Sequence, residues 1–100
     1  MTPEIIYEDE NVLILNKPAG LVVHDDGKVR TEKEKTLSDW VLDHYPEMEN
    51  VGEPMEITQK DGTFIVIKRP GIVHRLDRET SGVIVLAKNQ ETFDFLKEQF

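Results

Sequence analysis

Between residues 70 and 87 a knot of charge is set between two apolar stretches, and few local structures accommodate it. Pro70-Gly71-Ile72-Val73 leads into His74-Arg75-Leu76-Asp77-Arg78-Glu79-Thr80-Ser81-Gly82, and Val83-Ile84-Val85-Leu86-Ala87 leads out. An apolar pair before the knot and an apolar run after a glycine predict strand, tight loop, strand. In an extended segment over 72–76 successive side chains point to opposite faces, so Arg75 and Asp77 share one side and Leu76 takes the other. An arginine that close favours the ionised carboxylate. Thr80, Ser81 and Gly82 supply small hydrogen-bonding groups and a flexible turn. The same Arg-x-Asp spacing also describes a surface ion pair, the commoner meaning of such a pair at a strand end.

The rest of the chain divides into short elements. Glu4-Ile5-Ile6-Tyr7 and Asn11-Val12-Leu13-Ile14-Leu15 read as two strands around a polar turn, the second apolar enough to be buried on both faces. Lys17-Pro18-Ala19-Gly20 is a turn, with Lys17 most simply a solvated cation, and Leu21-Val22-Val23 returns as a strand. Residues 27–35 alternate in charge and read as a loop. Thr36 and Asp39 have the spacing of a capping box ahead of a helix whose face is Leu37, Trp40, Val41 and His44, ended before Pro46. Trp40 is expected to anchor the core rather than to stack on a base. Asp61-Gly62 marks a hairpin between Met55–Gln59 and Thr63–Ile67, and Asn89 caps a helix with Phe93, Leu96 and Phe100 on one face. That helical pattern runs to residue 100 without a stop signal, so the chain reads as truncated.

The expected fold is α/β (or α+β), with a mixed, mainly antiparallel sheet and helices packed on it, in one domain over residues 1–100. Cysteine is absent, which removes disulfides and thiolate chemistry and fits the cytoplasm. The longest apolar run has the five residues Val83 to Ala87, far short of a membrane span, and the first residues lack a signal core. His24-Asp25-Asp26 and the His74, Asp77 pair lack the closed ligand set that a metal needs, so no metal is expected. A net charge of −8 opposes nucleic-acid binding, but the charge is unevenly placed. Residues 60–88 carry six basic and three acidic side chains, whereas residues 1–59 carry five basic and fourteen acidic. Positive charge therefore gathers around the knot.

The stretch His74-Arg75-Leu76-Asp77-x-x-Thr80-Ser81-Gly82 closely resembles the signature of RNA pseudouridine synthases, in the branch acting on ribosomal large-subunit RNA and tRNA. Asn16-Lys17-Pro18-Ala19-Gly20-Leu21 and Arg69-Pro70-Gly71-Ile72-Val73 resemble two further motifs of that family, in the same order. The resemblance implies that Asp77 is the catalytic aspartate of a uridine-to-pseudouridine isomerase. It implies that Arg75 fills the space of a flipped-out base or pairs with Asp77. Arg78, beside the reactive loop, is expected to contact phosphate or, as a single exposed cation, only to add solubility. His74, Thr80, Ser81 and Gly82 then brace the loop, and the Lys17 motif serves as scaffold beside it. RNA, ribosomal or transfer, is the implied partner, and no cofactor is needed. The family also uses a tyrosine that stacks on the target base and a basic residue paired with the aspartate, both further along; neither has a match here. The chain is accordingly expected to be the N-terminal portion of the catalytic domain, able to associate with the remainder. Two other readings compete. One is an inactive fragment that binds RNA or protein. The other is a glycoside hydrolase, for which this loop offers only Asp77 and Glu79 as the required carboxylate pair.

Overall fold

The computed structural model describes residues 1–24 and 35–100. The sequence readings at Asp25 and Asp26 and over 27–34 lie outside the described residues. Two strands open the chain, β1 (Glu4–Glu8) and β2 (Val12–Lys17). They are joined by a turn in which Asp9 Oδ1 accepts the backbone N–H groups of Asn11 and Val12, each at 2.8 Å. A short polar side chain that satisfies the backbone two and three residues on is what reverses the chain here. β2 then pairs antiparallel along its whole length with β5 (Gly82–Ala87), which gives a sheet of order β1-β2-β5. A separate antiparallel hairpin is made by β3 (Met55–Thr58) and β4 (Phe64–Ile67). Every strand pairing among the described residues is antiparallel, and with two helices the fold is α+β.

Helix α1 (Leu37–His44) begins as its sequence requires. Thr36 Oγ1 accepts the Asp39 N–H, and Asp39 Oδ2 accepts the Thr36 N–H, so two otherwise orphaned donors are satisfied reciprocally. The helix stops at Tyr45, ahead of Pro46, and a short 3-10 turn (Pro46–Met48) follows. Helix α2 (Gln90–Gln99) is capped by Asn89, whose Oδ1 accepts the Thr92 N–H at 2.8 Å. The Asp61-Gly62 hairpin turn also forms: Asp61 Oδ1 accepts the Thr63 N–H at 3.0 Å, and Gly62 has φ +90.

The core lies on one side of the three-stranded sheet. Leu13 and Leu15 of β2 meet Ile84 and Leu86 of β5, with Leu37 and Val41 of α1, Met48, Leu21, Val23 and Ile72 closing over them. Trp40 packs at the margin, half-buried and stacked on His44 at 4.4 Å, while His44 itself is exposed. Because the core has one side, β2 is not buried on both faces as its composition predicts: Leu13, Leu15 and Lys17 are inside and Asn16 is exposed.

Two expected strands are replaced by other backbone arrangements. Residues 21–24 do not join a ladder; the carbonyls of Val22 and Val23 accept the N–H groups of Leu37 and Ser38 at 2.8 and 2.9 Å. These are free donors at the start of α1, so the segment caps a helix instead of extending the sheet. The strand expected over 72–76 shrinks to a single bridge between Ile72 and Leu86. Beyond it the chain leaves the sheet, and the Val85 N–H is accepted by the His74 ring, at Nε2 and 3.1 Å, where a ladder carbonyl would stand.

Candidate active site

The alternation that buries Leu13 and Leu15 continues to Lys17, which has no exposed surface. Its ammonium donates to three carbonyl oxygens: Leu21 at 2.7 Å, Pro18 at 3.0 Å and Arg78 at 3.1 Å. Three donors meet three acceptors, which is the full capacity of an ammonium group. Lys17 is therefore a buried clamp, and its reading as a solvated cation is corrected. Desolvation pushes its pKa down from the ordinary lysine value, and the carboxylates of Glu79 and Asp77 oppose that shift. The signal that marks it is the spacing 13, 15, 17 on a strand, where the third inward position falls on a lysine.

The loop over 73–81 is pinned from three directions. At its start, Ala87 N–H donates to the Gly71 carbonyl at 2.9 Å, and His74 receives the Val85 N–H. In its middle the Arg78 carbonyl accepts both Lys17 and the Gly20 N–H, the latter at 2.6 Å. A turn within the loop is closed by the Thr80 N–H donating to the Asp77 carbonyl at 3.0 Å. At its end Gly82 enters β5 opposite Lys17. The Asn16–Leu21 turn and the 73–81 loop thus form one unit. Thr80 acts through its backbone, and the Thr80 and Ser81 hydroxyls make no hydrogen bond among the described residues. His74 stacks on Phe100 with ring centroids 4.6 Å apart, and burial holds its pKa below the usual histidine value.

A cleft of about 270 Å³ opens against this loop, lined by Val22, Val23 and His24 on one side and by Arg75, Leu76, Asp77 and Arg78 on the other. Arg75 and Asp77 share it. Leu76 lines it too, because the segment is a loop and the strand-like alternation does not apply. Asp77, Arg75 and Arg78 are all exposed. Among the described residues no ion pair joins Arg75 to Asp77, and the loop is held instead by hydrogen bonds from Lys17 and Gly20 to the Arg78 carbonyl and from Val85 to the His74 ring. The described residues contain no cluster of three or more His, Cys, Asp or Glu side chains that could hold a metal, and no helix among them is long and apolar enough to cross a membrane.

Fold and cleft define a small α+β domain that presents an exposed carboxylate between two arginines at the rim of an antiparallel sheet. The RNA pseudouridylate synthase family model matches residues 11–100. An uncharacterized RNA pseudouridine synthase of Helicobacter pylori strain J99 is 46% identical over 96 residues, covering 96% of this chain and 24% of that protein. Proteins named ribosomal large subunit pseudouridine synthase D from Borreliella burgdorferi and Pseudomonas aeruginosa are each 40% identical over 96 residues, 25% and 24% of their respective lengths. The chain belongs to the RNA pseudouridylate synthase family. It spans about a quarter of the length of these relatives.

Proposed function

We propose that this chain forms the N-terminal portion of the catalytic domain of an enzyme that isomerises uridine to pseudouridine in RNA, with Asp77 as nucleophile. The observation that carries the reading is the placement of an exposed Asp77 in a cleft beside Arg75, on a loop fixed by a buried lysine. The names of the relatives support large-subunit ribosomal RNA as the substrate, with tRNA as the other candidate of this branch. The cytoplasm is the matching compartment.

The reaction conserves atoms and electrons. The bond from the ribose carbon to the uracil nitrogen breaks, a bond from the same carbon to a uracil carbon forms, and a proton passes from that carbon to the freed nitrogen. No redox partner or energy source enters. Breaking the first bond leaves an electron-deficient ribose carbon, which the Asp77 carboxylate captures or stabilises. The uridine must first leave its stack, at a cost of a few kcal/mol. Arg75 is suited to fill the vacated space with its planar guanidinium, and Arg78 to contact phosphate. The His74 ring and the Thr80 N–H keep the loop in place, and Gly82 leads it into β5.

The test is single-turnover conversion of uridine-containing ribosomal and transfer RNA, read by mass spectrometry after chemical tagging. Product from the parent and none from Asp77→Asn is the expected result, and product surviving in Asp77→Asn would overturn the assignment. The short span relative to the relatives supports a second reading, an RNA- or protein-binding piece that turns over only with the rest of the domain. RNA binding without product, restored to turnover by adding the remainder, is the outcome that selects it.

A further inference from the structure

Next to the Asp77 cleft lies a smaller recess of about 100 Å³. Arg69, His24, His74 and Arg75 line it, and none of its lining residues is acidic. In a chain of net charge −8, four nitrogen-bearing side chains around one small hollow are a local reversal of the surface. His24 and Arg75 also line the larger cleft, so the two spaces share a partition.

The donors around the recess are only partly used. The His74 Nε2 accepts the Val85 N–H, which puts the ring proton on Nδ1, and that N–H has no hydrogen-bond partner among the described residues. Arg69 Nε donates to the Glu53 carbonyl at 2.9 Å, and its two terminal nitrogens have no hydrogen-bond partner among the described residues. The Glu53 carboxylate is hydrogen-bonded to Lys97 and adds only a through-space attraction to Arg69. A small recess lined by donors suits a tetrahedral oxyanion.

We propose that this recess holds the RNA backbone phosphate next to the target uridine. The His24 and Arg75 partition then separates a base-and-ribose side from a phosphate side. The inference rests on the pseudouridine synthase reading and gives it a second point of attachment. Charge-assisted hydrogen bonds from Arg69, together with the His74 Nδ1–H, grip the phosphate. Such a contact reads no sequence; it fixes where along the strand the uridine enters the cleft.

The test follows the imidazole ¹⁵N resonances of the chain, titrated first with inorganic phosphate and then with a uridine-containing RNA oligonucleotide. The shifts of His24 and His74 should saturate with phosphate while the exposed His44 stays still, and the RNA should displace the phosphate. Arg69→Gln should weaken phosphate binding about tenfold, the value of one charge-assisted hydrogen bond. Arg75→Gln, at an exposed position where folding is not at stake, should weaken it by about threefold. Shifts that rise linearly and equally at His44, or RNA that binds with His24 and His74 unmoved, overturn the proposal. Asp77→Asn should keep the phosphate response. A failed product assay beside RNA-displaceable histidine shifts faults the isomerase reading alone; product beside unmoved histidines faults the recess alone.

Discussion

The ammonium of Lys17 lies 3.1 Å from the carbonyl oxygen of Arg78, 61 residues along the chain, and Lys17 has no exposed surface. A buried charge is tolerable only where its donors are used, and here all three are. The loop that carries Asp77 is therefore held by a side chain from the other end of the sequence.

Lys17→Met should leave the Pro18 and Leu21 carbonyls without this donor and remove one of the two donors to the Arg78 carbonyl. We expect a loss of about 2–4 kcal/mol in urea unfolding, as for a broken buried network. The loss should appear as a lower midpoint with an unchanged slope. Product formation per folded molecule should fall as well, since the loop loses its clamp.

Asp77→Asn should separate chemistry from folding. Its side chain is exposed and unpaired among the described residues, so stability should stay within about 0.5 kcal/mol of the parent. Pseudouridine formation should disappear in single-turnover assay. Glu79→Gln should leave product nearly unchanged; an equal collapse there would return the two-carboxylate hydrolase to consideration.

Acid should loosen the loop through His74. Burial lowers its folded pKa, so between that value and the ordinary 6.5 the unfolded chain binds more protons than the folded one. Stability from this group is present above about pH 6.5 and is lost as pH falls toward the folded value. A protonated ring can no longer accept the Val85 N–H. His74→Gln offers an uncharged acceptor and should flatten this part of the stability profile, measured by urea unfolding across the acid range.

Gly71 and Gly62 both have positive φ, at +67 and +90, but only one is crowded. A Cβ on Gly71 would stand 2.2 Å from the Ala87 carbonyl oxygen, whereas one on Gly62 meets nothing within 4 Å. Gly71→Ala should cost about 3–5 kcal/mol, from backbone strain plus overpacking, and Gly62→Ala about 1–2 kcal/mol from strain alone. Thermal unfolding of the pair would separate the two costs.

Local chemistry was readable in the sequence. The Thr36 and Asp39 box, the Asn89 cap and the Asp61-Gly62 turn each depend on neighbours within four residues, and each formed as its spacing implies. What the sequence hid was set by distant partners. Leu21-Val22-Val23 has strand composition, yet the Leu21 carbonyl goes to Lys17 and those of Val22 and Val23 to the start of α1. Residues 72–76 look extended, yet a histidine ring takes the hydrogen bond a strand would have taken. Asp77 could be singled out by its motif, but its neighbours across the cleft, Val22 to His24, come from a segment about fifty residues earlier. No local pattern announces them.

The pairing of β2 with β5 also sets an order of events during synthesis. The hydrogen bonds within helix α1 and the β3–β4 hairpin are local in sequence, whereas β2 and β5 lie far apart along the chain. β2 cannot find its partner until residue 87 has left the ribosome. Lys17 has the Pro18 and Leu21 carbonyls close by in the chain, but its third acceptor, at Arg78, comes 61 residues later. Burial of the ammonium and closure of the core therefore depend on the same long-range pairing. A chain stopped before residue 82 would contain Lys17, Arg75 and Asp77 but lack the strand that pairs with β2.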